Sequence, residues 1–191
     1  ARVRLEASQN RAFDRWFQET LDDPPEGIRR FLRRQRWSRD SGPRDMLLAA
    51  CRQLVEHRDH PAAWRRDPLD RAAAIDHVLR ALRALAGVAA RARSEADYLR
   101  RSLAPIGAAV ARVEAREADA ERDIDLVEAE LVALAREVNW QWKGSGRFYG
   151  DGILRADVLL QRDETRAGLE RFLALAQADL AACLHRELSP V

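Results

Sequence analysis

IGAAVARVEAREADAERDIDLVEAELVALAREV, residues 106–138, decides the fold class. An apolar residue returns at steps of four and three: Ile106, Val110, Val113, Glu117, Ala120, Ile124, Val127, Leu131, Leu134 and Val138. Nine of those ten positions are apolar, and no Pro or Gly follows Gly107. A mean spacing of about 3.5 residues is that of a helix whose narrow seam packs along another helix.

The partner is sought just upstream. Asp67-Pro68-Leu69-Asp70 is a helix start: Asp67 to cap free amides, Pro68 at the first turn, Asp70 to complement the dipole. From there a helix is predicted to about Leu103, with Ala72, Ile75, Leu79, Leu82, Ala86 and Ala89 on its seam. Pro105 interrupts at Leu103–Gly107, as a hairpin turn or as a kink in one long rod. Charge favours the turn. Residues 68–103 hold seven Arg against four acids, and residues 106–138 four Arg against nine acids. Folding one on the other sets opposite charges beside a shared stripe. The expectation is an all-α helical bundle with a long antiparallel coiled-coil-like hairpin over about 68–138.

Outward from the hairpin the patterning stays helical. Residues 8–21 carry Phe13, Trp16, Phe17 and Leu21 at helical spacing, ending at Asp22-Asp23-Pro24-Pro25. Residues 26–37 form a second helix with Ile28, Phe31 and Leu32 on one side. A third follows Ser41-Gly42-Pro43, with Leu47, Ala50, Cys51, Leu54 and Val55 as its buried stripe. Residues 156–188 form the last, burying Leu169, Phe172, Leu173, Ala176, Leu180, Cys183 and Leu184. Residues 1–66 make an N-terminal helical, Arg-rich segment. Residues 67–191 make the hairpin plus the C-terminal helix, the two forming one continuous domain.

Composition narrows the classes. Apolar residues are 47% and aromatics 6% of 191 residues, which suits close helix packing better than a β-sandwich. The basic residues are 32 Arg and the single Lys143, yet the net charge is only +2. The whole chain is therefore not a polyanion binder on charge alone. Cys51 and Cys183 read as buried thiols, and no disulfide framework is suggested. No run long and apolar enough for a membrane span and no signal-peptide pattern occurs, so a cytoplasmic protein is expected. The first residue is Ala1 and the one Met is Met46, so the chain reads as a processed start or a piece of something larger.

Two surfaces attract attention. NWQWKGSGRFYGDG, residues 139–152, holds four of the nine Gly and four of the twelve aromatics. It is expected to form a short Gly/aromatic loop or β-hairpin. One reading makes Trp140, Trp142, Lys143, Arg147, Phe148 and Tyr149 a partner-docking surface. The other makes the rings a plug for the end of the bundle. Its glycines miss both phosphate-loop spacings and follow a helix rather than a strand. The second surface is IRRFLRRQRWSR, residues 28–39, with six Arg and no acid. Arg29, Arg33 and Arg36 share a face, with Arg30 and Arg34 beside it. They meet nucleic-acid phosphates or another anionic partner, or they pair internally.

Other matches are thinner. His57, His60, His77 and His185 do not assemble a ligand set by spacing, so no metal or other cofactor is expected. Arg52 to His57 is similar to the R-x-x-x-x-H motif of the helical HEPN ribonucleases, which place that pair in a composite dimer site. Chance supplies about 0.7 such pairs in a chain with 32 Arg and four His. No Ser or carboxylate forms a nucleophile–base pattern. The expectations rank as follows: a non-enzymatic helical interaction module or adaptor subunit of a larger assembly, then a nucleic-acid binder, then a HEPN-like ribonuclease. Protein partners are expected first, DNA or RNA second, and a homo-oligomer is open.

Overall fold

Helical periodicity carries through to the backbone. The computed structural model describes residues 2–34, 42–56, 69–92, 97–141 and 155–189, with side chains described from Asn10 onward. They form helices α1 (Arg2–Asp22), α2 (Glu26–Arg34), α3 (Pro43–Glu56), α4 (Arg71–Gly87), α5 (Tyr98–Asp119), α6 (Ile124–Glu137) and α7 (Arg155–Leu188). A 3-10 turn, Val88–Arg91, follows α4. There is no strand among the described residues, and the chain is all-α. No described helix is long and apolar enough to cross a membrane. The chain divides into two compact units, residues 1–68 with 177–191 and residues 69–176. One boundary follows Pro68 and the other falls inside α7.

In the unit 69–176 the expected pair of rods gives way to shorter helices. Asp70 caps α4, its carboxylate accepting from the Ala73 amide at 3.0 Å, while Asp67 lies outside the described residues. The helix then tightens and ends near Gly87, a weak helix former. Ala92 is extended, and Asp97 starts α5 by accepting from the Leu99 amide at 2.9 Å. The break therefore falls between α4 and α5, before Asp97. Leu103–Gly107 lies inside α5, with Pro105 in the helix. Pro105 and Arg101 are both exposed, so the carbonyl that loses its amide partner lies on the solvent side. The four-three seam passes undisturbed through Leu99, Leu103, Ile106, Val110 and Val113, all buried.

Beyond Val113 the seam breaks at its one polar position. α5 stops two residues after Glu117, and Ala120 adopts φ −154 and ψ 164. Asp123 starts α6, accepting from the Asp125 and Leu126 amides at 3.1 Å each. Residues 106–138 are thus two helices rather than one. Partner positions on α4 and α5 run in opposite order: a Cβ on Gly107 would lie 4.0 Å from Ala86, and Arg83 meets Glu114 at 2.6 Å. The two helices are antiparallel. The charge expectation is visible in the contacts, because Arg71 and Arg83 of α4 pair with acids of residues 106–138. The apolar seams of α4, α5 and α6 join Val158, Leu169, Phe172 and Ala176 of α7 in one core.

In the other unit Phe13 and Phe17 of α1 stack at 5.9 Å. They pack with Ile28, Leu47, Leu48, Cys51 and Leu188. Arg44 at the start of α3 lies over the Phe13 ring at 6.0 Å and donates to Asp14 at 2.7 Å, tying α3 to α1. Leu21, expected in the stripe, is exposed. The N-terminus of α2 has a cap from far away in the chain. The Glu187 carboxylate accepts from the Gly27 amide at 2.8 Å and the Ile28 amide at 2.9 Å. Both amides lack helical partners, and the anion meets the positive end of the helix dipole. A Cβ on Gly27 would lie 2.6 Å from Glu187 Oε2 and 3.0 Å from Cys183 Cβ. Gly27→Ala and Glu187→Ala should each cost about 1–2 kcal/mol, read in urea melts, since both remove the cap. The double variant should cost little more than either alone.

Candidate functional site

The Arg-rich helix divides its charges between two faces. Residues 27, 30 and 34 recur at i, i+3 and i+7, and this face meets the C-terminal part of α7. Arg30 is 0% exposed. Its Nη1 donates to Asp179 Oδ2 at 2.5 Å and to Glu26 Oε1 at 3.3 Å, and lies 4.0 Å from Cys183 Sγ. Arg34 donates to the Gln177 side chain at 3.0 Å. Arg30 is thus a core residue and leaves the expected nucleic-acid-binding set. Arg29 and Arg33 are exposed, Arg29 reaching the Pro24 carbonyl at 3.5 Å. Arg36 lies outside the described residues.

Glu26, Asp179 and Cys183 bring three ligand atoms within 4.8 Å of one another. Two carboxylates and a thiol are a credible donor set for a soft divalent ion. The Arg30 guanidinium sits against all three groups and supplies the cation there. The cluster is therefore an internal ion-pair site. A similar clamp ties α4 to α6, where Arg71 donates to Asp125 at 2.6 Å and to Glu128 at 2.9 Å. Both carboxylates are buried. Adjacent carboxylates bridged by a guanidinium are committed to structure rather than placed for acid–base chemistry.

The corner between α5 and α6 is different. An open groove of about 420 Å³ lies there, with Val113, Leu126 and Val127 as its apolar floor. Its rim holds Arg116, Glu117, Asp119, Glu121, Arg122 and Asp123. Arg116 donates to Glu130 at 2.9 Å. Arg122 donates to Glu117 at 2.5 Å and also to Asp76. These bonds raise the Arg122 pKa above its ordinary value, Glu117 contributing first and Asp76 second. The Arg122 hydrogen bond in turn holds the Asp76 carboxyl below the usual carboxylate range. Asp119 and Glu121 are exposed and paired with nothing among the described residues. The last carbonyls of α5 add the negative end of a helix dipole to the same mouth. A cation beside an apolar side chain is what this surface would hold.

A shallower hollow of about 240 Å³ between α4 and α7 is lined by His77, Gln161, Glu164 and Thr165 over Ala81, Ala84 and Gly168. Its Thr165 hydroxyl donates to the Gln161 carbonyl at 2.7 Å, within the helix.

Only the start of the Gly/aromatic stretch is described. Asn139 Oδ1 accepts from the Gln141 amide at 3.0 Å, forming a turn after α6. Trp140 is 6% exposed and belongs to the core of residues 69–176. Its ring therefore plugs the core instead of facing a partner. Trp142, Lys143, Arg147, Phe148 and Tyr149 lie outside the described residues, as does the loop or β-hairpin they were expected to form.

Of the thinner motifs only part is described. Arg52 donates to Asn10 at 2.8 Å, and His57 and His60 lie outside the described residues. Cys51 and Cys183 are free and buried. Desolvation pushes the Cys51 thiol up to about 11, away from a nucleophile. Cys51 should resist iodoacetamide at pH 8 in the native chain and react in urea, read by mass spectrometry. A folded pKa above the unfolded one also means that stability from the neutral thiol is complete below about pH 8.5. That stability is lost as pH climbs toward the folded value of about 11.

The groove was not foreseen from the sequence. Its signal was the lone polar seam position, Glu117, followed six residues later by the Asp123 cap. No protein family matches the chain, and neither does any curated protein or solved structure.

Proposed function

We propose that the chain is a non-enzymatic interaction module, a helical subunit or adaptor that engages protein partners through residues 69–138 and the adjoining 139–152 stretch. The observation that carries this reading is the α5–α6 groove, an apolar floor with the exposed acids Asp119 and Glu121 on its rim, which lack partners among the described residues. Further support comes from the polar groups elsewhere, many of which serve as caps or inter-helix ion pairs. Two buried free thiols suit a reducing, cytoplasmic setting.

The test is site-specific photo-crosslinking in the native host. A photoreactive residue at position 121 or 148 should give discrete protein adducts, and one at the exposed position 80 should not. Trp142→Ala with Tyr149→Ala should remove the position-148 adduct while helical circular dichroism is unchanged. No adduct from either site would end this reading.

A second reading is nucleic-acid binding through Arg29, Arg33 and Arg36, supported by the exposure of Arg29 and Arg33 on α2. Changing these three to Glu should weaken salt-sensitive binding to DNA or RNA. Absence of binding at low salt rules it out.

A further inference from the structure

We propose that the α5–α6 groove receives residues 36–39 of a second copy of this chain, Arg36-Trp37-Ser38-Arg39. The proposal rests on the protein-docking reading above and names the partner.

The groove sets three demands. Its floor of Val113, Leu126 and Val127 asks for an apolar group, and about 420 Å³ accommodates an indole. Its mouth asks for positive charge, because Asp119 and Glu121 lack partners among the described residues and α5 ends there. Arginine answers better than lysine, since its planar fork meets carboxylates and helix-end carbonyls with several donors. The rim's own arginines do not answer, as Arg116 is held by Glu130 and Arg122 by Glu117 and Asp76.

The chain carries a segment of that composition. Trp37 stands between Arg36 and Arg39, and no acid occurs between Glu26 and Asp40. Trp16 and Trp64 each have an Asp within three residues, and Trp142 has one adjacent cation. The indole covers the floor and the two guanidinium groups meet Asp119 and Glu121. A copy that both gives and receives this segment closes a twofold dimer.

Sedimentation equilibrium of the full chain over a wide concentration range tests the proposal. The expected result is a dimer that weakens as salt screens the charges. Asp119→Arg with Glu121→Arg should weaken it at least about tenfold, as should Trp37→Ala with Arg36→Glu. Mixing the two variants should restore association in part, because the segment of one meets the groove of the other and one of the two contacts re-forms. The milder Asp119→Asn with Glu121→Gln should weaken the dimer in the same direction, which covers any folding defect of the charge reversal. A chain that stays monomeric throughout, or a dimer indifferent to both sets of changes, overturns the proposal. If the chain is monomeric while position 121 still cross-links another protein, the docking function stands and the second copy is the wrong occupant.

Discussion

Arg30→Ala should lower the stability of the chain by about 3–5 kcal/mol, the cost of stranding a buried charge. The guanidinium is 0% exposed and is held by Asp179 and Glu26. Truncation leaves the Asp179 carboxylate in the core with its cation removed, and opens a void against Cys183. The measurement is a urea melt followed by circular dichroism. Arg30→Met with Asp179→Leu should recover much of the loss, because apolar groups of similar size do not need each other's charge. A single variant that melts like the parent would show that the guanidinium does not hold α2 to α7.

Arg71→Met should cost a similar amount, about 3–5 kcal/mol, for a related reason. Asp125 and Glu128 are both buried and both lean on Arg71. Without it two carboxylates face each other in a weakly solvated space. Protonating one of them relieves the repulsion. The defect should therefore be largest near neutral pH and shrink as the pH falls toward about 4, where ordinary carboxylates protonate. Asp76, held low by Arg122 in both proteins, contributes stability that is present above about pH 4 and is lost only as the pH falls further. Melting both proteins from neutral pH down to about pH 4 reads the narrowing gap between them.

These two arginines show where the sequence was legible and where it was not. The helices were, because apolar spacing is set by the backbone period and survives any tertiary context. α7 was expected over 156–188 and spans Arg155–Leu188. The breaks were harder. Pro105 is a strong local signal, yet it stands on the exposed side of α5, where a missing amide costs least. The actual breaks are marked by Asp97 and Asp123, single aspartates in a chain rich in acids. Only their cap bonds distinguish them. Arg30 was illegible for another reason: five arginines within residues 29–36 look equivalent until a partner helix selects one face. Asp179, which makes that selection, is distant in sequence.

Leu188 lies in the same core as Phe13, Phe17 and Ile28, and Glu187 closes the start of α2. During synthesis the first two helices leave the ribosome long before either residue is made. Their core stays open on the side that Leu188 covers while the whole of residues 69–176 is translated and free to fold first. A holdase or a slow start to folding would shelter them in that interval. A message cut short before the codon for Glu187 would leave a folded middle carrying an unfinished, sticky N-terminal unit.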